Sequence, residues 1–179
     1  LVLDGANSTE LKRRGIINSA NPDGTVNEGI TTNSARAAIG APEHLRQVHE
    51  DYLLAGADIV TTNTFNTSRS KLIMRRLDFL ADRAEELTRR AAEITVQARD
   101  RLKPEAYVAG SIAEPLYKER SITANEMTDE YRQQAAVLAE TGVDVILLEY
   151  TRTVQEAVIA MDAVSEFGLP VFLGMTNTT

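Results

Sequence analysis

The chain has 179 residues, of which 43% are hydrophobic and 25% charged, with a net charge of −7 and no cysteine. These values indicate a globular domain with one sizeable core, and the acidic balance argues against nucleic acid as a partner. The absence of cysteine excludes both a disulfide framework and a thiolate metal site within this sequence. No apolar run approaches the ~20 residues of a transmembrane helix, and the N-terminus lacks the basic start of a signal peptide. We therefore expect a cytoplasmic protein with no membrane contact.

Strand and helix patterns alternate along the whole chain and indicate a single α/β domain over residues 1–179. Parallel strands are predicted at 1–4, 58–64, 107–112, 143–148 and 171–176, the first of them short, buried and ending at an acidic residue. Helices are predicted at 6–14, 43–55, 68–102, 123–141 and 154–167, the fourth opening with Thr123 and Glu126 as a capping box. Residues 16–34 are rich in Asn, Gly, Thr and Asp and predict a long loop, of a length that is usually functional or mobile.

One pattern occurs twice and organises this interpretation. A helix ends at a glycine, an aspartate follows two residues later, and a buried strand ends in a polar residue; the pairs are Gly56 and Gly142, Asp58 and Asp144, and Asn63 and Glu149. Equivalent strands two βα units apart are typical of an eight-fold (β/α) barrel. The alternative is an open doubly wound sheet, but no Gly-x-Gly-x-x-Gly fingerprint or Walker-type loop is present.

The ends of the predicted strands collect the residues that could carry chemistry: Asp4, Asn63, Ser111, Glu149 and Thr176. The two carboxylates are costly to bury unless a charged or hydrogen-bonding group meets them. They could bind an ammonium group or act as acid and base, or each could cap a following helix. The capping interpretation is favoured for Asp4. The functional interpretation is favoured for Glu149, which lies on an apolar strand.

Other polar residues are expected to be ordinary. The run Thr62–Thr64 is too polar to belong to the core. His44 and His49 are five residues apart, which is a poor metal spacing on a helix, and both are interpreted as residues of a surface helix. A solvated loop is predicted to contain Glu114, Lys118, Glu119 and Arg120.

Several segments resemble the homocysteine S-methyltransferase family. The chain opens with Asp4-Gly-Ala-Asn-Ser-Thr-Glu-Leu11, similar to the family's Asp-Gly-Ala-Met-Gly-Thr-Glu-Leu, and continues with Asn33-Ser-Ala-Arg36. The most specific match is Pro42–Phe65, which ends in Ala-Gly-Ala-Asp-Ile-Val-Thr-Thr-Asn-Thr-Phe. Val108-Ala-Gly-Ser-Ile112 and Gly142–Glu149 follow at the expected places, and the Glu149-Tyr150 pair resembles the betaine-type members.

The resemblance implies a (β/α)8 TIM barrel, of which this chain covers about the first five strands. It implies transfer of a methyl group from a small methyl donor to the sulfur of homocysteine, giving methionine. The family's zinc, held by three cysteine thiolates, binds that sulfur and keeps it nucleophilic at neutral pH. Acidic residues matching Asp4 and Glu149 meet the amino group of homocysteine. The expected substrate-binding set is Asp4, Gly5, Asn63, Glu149 and Tyr150.

The sequence departs from the family pattern at three points. It has no cysteine, so it cannot build the zinc site, and we expect it to be the N-terminal part of a longer enzyme, inactive alone. Asn7-Ser8 replaces Met-Gly, which puts the acceptor in question. Asn33 replaces a usual Trp, and the chain has no Trp at all. Since aromatic faces normally hold a quaternary ammonium, a betaine donor is not favoured.

Two other functions stay open. One is a metal-free barrel enzyme that uses Asp4 and Glu149 as an acid–base pair, although no Lys stands at a strand end to support an aldolase. The other is a non-catalytic fragment or paralogue that binds a partner through open sheet edges. A homo-oligomer is compatible with each of these interpretations.

Overall fold

The centre of the structure, a computed structural model, is a four-stranded parallel sheet with helices on one face. Residues 1–20, 26–27, 31, 33–116 and 121–176 are described. The strands are β1 (Ser19–Ala20), β2 (Val26–Asn27), β3 (Ile59–Thr61), β4 (Tyr107–Ala113), β5 (Val145–Thr151) and β6 (Val171–Met175). The α-helices are α1 (Asn7–Arg13), α2 (Ala37–Gly40), α3 (Pro42–Leu54), α4 (Arg69–Met74), α5 (Ala84–Leu102), α6 (Ala124–Glu140) and α7 (Val154–Ser165). Two 3-10 helices span Ser34–Arg36 and Asp78–Arg83.

The strands of the main sheet lie in chain order, β3-β4-β5-β6, and all three pairings are parallel. A doubly wound sheet would reverse its order, so the described sheet does not have that topology. The predicted long loop holds the small antiparallel pair β1–β2, while its residues 21–25, 28–30 and 32 lie outside the described part of the chain.

The predicted first strand is reduced to a single parallel bridge between Leu3 and Ile59. Its backbone still joins the sheet beside β3, because the Asp4 N–H donates to the Ile59 carbonyl at 2.9 Å. The prediction that this segment is buried is wrong, since Leu1 and Leu3 are 88% and 50% exposed.

The predicted helix over 68–102 is three separate pieces. α4 ends at Met74, and Arg76 adopts a left-handed backbone with φ of 59°, which turns the chain out of the helix. A 3-10 segment follows before α5 begins at Ala84. The apolar periodicity was continuous across the break because the 3-10 segment also buries Leu80 and Ala81.

The largest core lies between the sheet and its helices. Val60, Val108 and Ile146 are fully buried on that face and pack with residues of α5, α6 and α7. The opposite face of the sheet carries a smaller cluster of Ile59, Ala109 and Val145. Side chains alternate between the two faces of the sheet along each strand. Every second residue near the carboxyl end of a strand therefore also lies on this second face.

The repeated pattern has a structural counterpart at the opposite ends of the strands. Asp58 accepts the Val2 N–H at 2.8 Å, and Asp144 accepts the Val108 N–H at 2.7 Å. Each aspartate thus binds the start of the preceding strand. Each also meets a cation near the end of α5, Lys103 for Asp58 and Arg99 for Asp144.

His49 corrects one prediction. His44 is exposed, as expected for a surface helix, but His49 is fully buried between α3 and α5. Its Nε2 lies 3.0 Å from the Thr95 hydroxyl. Burial lowers the pKa of His49 to about 3, so the ring is neutral and serves packing.

Candidate functional site

A cavity of about 420 Å³ opens at the carboxyl ends of β3, β4 and β5. This is where parallel α/β folds place their sites. The structure brings all five predicted substrate-binding residues to its wall: Asp4, Gly5, Asn63, Glu149 and Tyr150. Their role stays a prediction, but their convergence from three distant parts of the sequence is a property of the fold.

Asp4 is held by the end of β3 rather than by a helix. Its carboxylate accepts the Thr61 N–H and the Thr61 hydroxyl, both at 2.9 Å. The capping interpretation is wrong, since the N-cap of α1 is Ala6 and makes no side-chain cap bond. Burial raises the pKa of Asp4 to about 6, the Thr61 hydrogen bonds work against this rise, and the charge of Glu149 adds to it.

Glu149 is the second carboxylate of the cavity. The Ser111 hydroxyl donates to its Oε1 at 2.5 Å. Burial raises the pKa of Glu149, and the Ser111 hydrogen bond partly opposes that rise. The described residues offer neither carboxylate an ion pair. Both are therefore desolvated acidic groups whose charged form a cationic ligand would stabilise.

A bulge in β5 explains why two consecutive residues line the cavity. Leu148 pairs with Leu173 and Thr151 with Met175, so β5 has one residue more than β6 in this interval. The extra residue is accommodated at Tyr150, whose φ of 66° is left-handed. In a regular strand Glu149 and Tyr150 would face opposite sides, and the bulge turns both toward the cavity.

Gly5 is required by a close approach. A Cβ at this position would come within 2.7 Å of the Tyr52 hydroxyl oxygen, which belongs to α3. A larger residue here would force the Tyr52 ring to move, so Gly5 allows the segment after Asp4 to pass close to that ring along the cavity wall.

The polar run after β3 is buried, contrary to the prediction. Thr62, Asn63 and Thr64 are at most 7% exposed, and hydrogen bonds satisfy them. Thr64 donates to the Ser111 carbonyl at 2.6 Å, and the Asn63 side-chain amide donates to the Ser34 carbonyl at 2.7 Å. Asn63 therefore acts first as a tether between β3 and the 3-10 helix at Ser34–Arg36, which Asn33 caps through the Ala35 N–H.

Phe65, Asn66 and Arg75 also line the cavity and were not among the predicted site residues. Phe65 and Tyr150 form an edge-to-face pair with ring centroids 5.7 Å apart. Asn66 accepts a hydrogen bond from the Arg75 Nε at 3.3 Å. Phe65 and Asn66 continue the polar strand end and could have been found from that signal. Arg75 could not, because it lies at the end of α4 within a stretch predicted as one helix.

Glu114 corrects the prediction of a solvated loop. Its side chain is 3% exposed and pairs with Arg152 at 2.6 Å. Burial raises the pKa of Glu114, and the Arg152 hydrogen bond works against that rise. Near this pair lies Lys71, whose Nζ is 5.4 Å from the centre of the Phe65 ring. Lys118, Glu119 and Arg120 lie outside the described residues.

The remaining candidates from the strand ends, Ser111 and Thr176, make structural hydrogen bonds. Ser111 lines the cavity and orients Glu149. The Thr176 N–H donates to the Thr151 carbonyl, which extends the β5–β6 pairing, and Thr176 is not part of the cavity wall. Across the described ranges, no three His, Cys, Asp or Glu side chains converge as a metal site. Because the sequence also has no cysteine, its residues do not fit the thiolate zinc site of the resemblance.

No helix in the described part of the chain is long and apolar enough to cross a membrane.

Comparison with known sequences identifies relatives over the whole chain. A sequence model of the family described as homocysteine S-methyltransferase matches residues 1–179. Betaine–homocysteine S-methyltransferase 1 from Sus scrofa is 32% identical over 137 residues, which cover 75% of this chain and 48% of that protein. S-methylmethionine–homocysteine S-methyltransferase BHMT2 from Rattus norvegicus is 30% identical over 176 residues, 98% of this chain and 42% of that protein. The chain thus spans less than half of the length of these curated relatives.

Comparison with solved structures supports the fold. The metallated form of the homocysteine methyltransferase MmuM from Escherichia coli superposes with a TM-score of 0.73 at 22% identity. The match covers 97% of this chain and 62% of that one. The apo form of the same protein gives a TM-score of 0.70.

Proposed function

Since this chain belongs to the homocysteine S-methyltransferase family, we propose that its cavity binds homocysteine for methyl transfer from a small donor to the thiol sulfur. In that reaction the donor's bond to its methyl group breaks, a new sulfur–carbon bond forms, and the thiol proton is lost. The observation that carries the proposal is the pair of desolvated carboxylates, Asp4 and Glu149, in one cavity.

The carboxylates suit the ammonium end of an amino acid. With a pKa of about 6, Asp4 is mostly ionised at neutral pH although burial opposes its charge. An ammonium placed between Asp4 and Glu149 would offset that cost through charge-assisted hydrogen bonds. Ser111 and Thr61 fix the two carboxylates in position before the ligand arrives, so little ordering accompanies binding.

For the donor we propose a small methylated cation. Such a cation is attracted to aromatic faces, and Phe65 and Tyr150 supply two rings at the cavity wall. The relatives are named for betaine and S-methylmethionine, which are a quaternary ammonium and a sulfonium. Because the chain has no Trp and the Lys71 ammonium lies over Phe65, a full aromatic cage for betaine is not favoured.

We further propose that residues 1–179 are a single domain that forms the N-terminal part of a closed (β/α)8 barrel. The sequential parallel order and the span of less than half of the curated relatives support this. The thiolates for zinc would then come from residues outside this sequence, and the chain contributes the ammonium-binding wall. We likewise propose that the protein is cytoplasmic and that it can form a homo-oligomer.

The test is Glu149→Gln, which keeps the shape of the side chain and removes its charge. In the full-length gene product we expect homocysteine affinity to fall about ten- to hundredfold, which corresponds to a charge-assisted hydrogen bond of about 1.5–3 kcal/mol. Calorimetry measures the affinity, and zinc is assayed on the same samples. Unchanged affinity would remove Glu149 from the site. Loss of zinc with an intact fold would make it a metal ligand instead.

Acid–base catalysis by Asp4 and Glu149 without metal is a second candidate. Burial raises the pKa of both carboxylates, that of Asp4 to about 6, and a carboxyl group whose pKa is raised toward the working pH is suited to proton transfer. The same calorimetry separates the two functions. An acid–base enzyme for another substrate would show no binding of homocysteine even as the wild-type protein.

A further inference from the structure

Arg75 is the one cation among the described residues that line the cavity. Arg75 is exposed at the end of α4, and its charge is opposite to that of the Asp4 and Glu149 carboxylates. The cavity therefore combines two anionic groups and one cationic group. A wall of this kind is complementary to a ligand that itself carries both charges.

The guanidinium of Arg75 is oriented by one hydrogen bond but forms no ion pair with the described residues. Its Nε donates to the Asn66 Oδ1 at 3.3 Å, which holds the group at the wall. None of the described carboxylates lies within ion-pair distance of it. Arg152 provides the contrast, because its Nη2 lies 2.6 Å from Glu114. The paired Nη groups of Arg75 remain available, and this fork matches the two oxygens of a carboxylate.

We infer that Arg75 binds the carboxylate of a substrate in this cavity. The inference rests on the proposed function, in which both reactants carry such a group: homocysteine as an amino acid, and the donor when it resembles S-methylmethionine or betaine. The shared chemistry is a carboxylate held by the Nη fork. The ammonium of homocysteine is bound separately, by Asp4 and Glu149.

A simpler role must be separated from this one. A cation at the C-terminal end of a helix is stabilised by the helix dipole, so Arg75 could act on stability alone. Arg76 is the matched control, since it is the next residue, is also exposed, carries the same charge and does not line the cavity. Replacing either arginine by Gln changes the net charge equally.

The experiment measures ligand affinity by calorimetry on the full-length gene product. Two ligand pairs differ by a carboxylate: homocysteine with 3-aminopropane-1-thiol, and S-methylmethionine with (3-aminopropyl)dimethylsulfonium. The wild-type protein should prefer the carboxylate member of at least one pair. In Arg75→Gln that preference should fall about ten- to hundredfold, the range of a charge-assisted hydrogen-bonded contact. The affected pair identifies whether the carboxylate belongs to the acceptor or to the donor.

A second variant tests the same contact in another way. Asn66→Asp places a carboxylate beside the Nε of Arg75, which should occupy the guanidinium and reduce the same preference without removing the arginine. Arg76→Gln should leave both preferences unchanged. Thermal unfolding of each variant checks that the fold is retained.

The possible outcomes separate this inference from the proposed function. If wild-type protein binds homocysteine and S-methylmethionine but Arg75→Gln keeps both carboxylate preferences, the inference is wrong and the proposed function stands. An equal loss in Arg76→Gln would also overturn it, because general charge would then explain the effect. If wild-type protein binds no homocysteine, the proposed function fails, and this inference fails with it.

Discussion

Asp4→Asn should make the protein more stable at neutral pH while weakening its affinity for homocysteine. Asn can keep both contacts of Asp4, because its carbonyl oxygen can accept the Thr61 N–H and its amide can donate to the Thr61 hydroxyl. The substitution removes only the charge that burial disfavours. A site that is stabilised when its charge is removed is one in which stability has been sacrificed for binding.

The magnitude follows from the pKa. Burial raises the pKa of Asp4 from 3.8 to about 6, which corresponds to about 3 kcal/mol if the group were fully enclosed. Asp4 keeps some contact with solvent, so we expect about 1–2 kcal/mol. Between pH 3.8 and 6 the Asp4 carboxyl is largely ionised in the unfolded chain but still largely protonated in the folded protein. Wild-type stability therefore falls as the pH rises through this window, and the penalty is constant above it.

Urea unfolding of both proteins from pH 3.5 to 7.5 measures the effect. The advantage of Asp4→Asn should be largest above pH 6 and vanish near pH 3.5. Asp58→Asn is the control with the opposite sign, because the Val2 N–H and Lys103 lower the pKa of Asp58, so it should lose stability at neutral pH. A variant at position 4 that is less stable than wild type at pH 7.5 would refute the reasoning.

Two further predictions concern the rest of the chain. Burial lowers the pKa of Lys71 from 10.5 to about 8, a shift worth about 3 kcal/mol, so the unfolded chain binds this proton more tightly and wild-type stability rises between pH 8 and 10.5. Lys71→Met should therefore be more stable than wild type at pH 7, and its stability should not rise between pH 8 and 10.5. Urea unfolding at pH 7 and pH 10 measures this, with the exposed residue Lys12, changed to Met, as the control. A Lys71→Met variant that is less stable than wild type at pH 7 would contradict the argument. The 179-residue chain alone should bind no stoichiometric zinc and transfer no methyl group, since it has no cysteine. Metal analysis showing one tightly held zinc per chain would count against this.

Much of the fold could be predicted from periodicity and helix ends. Gly56 and Gly142 have φ values of 103° and 84°, and Thr123 forms the expected capping box with Glu126. Burial was harder to predict than secondary structure. His49 and Glu114 are polar, yet packing or an ion pair makes their burial tolerable, and such partners are distant in sequence.

The candidate site was predictable where strands end and unpredictable where the backbone is irregular. Asp4, Asn63 and Glu149 follow from the rule that parallel strands carry their sites at the carboxyl ends. The bulge at Tyr150 and the break at Arg76 depend on left-handed residues that are not glycine, so no local signal marked them. Arg75 reaches the cavity wall only because α4 ends there.

The two ends of the sheet differ in how much change they can accept. At the amino ends, Asp58 and Asp144 tie each strand to its predecessor and fix the register, independently of what the cavity holds. At the carboxyl ends, a bulge and short polar segments form the wall, and their side chains also join neighbouring strands, as Asp4 is joined to Thr61 and Glu149 to Ser111. Because the aspartates at the amino ends hold the strands independently of these contacts, substitutions that adapt the cavity to a new substrate should disturb the alignment of the strands less than substitutions of Asp58 or Asp144. Substrate specificity can therefore change at the carboxyl ends while the hydrogen bonds at the amino ends continue to hold the strands together.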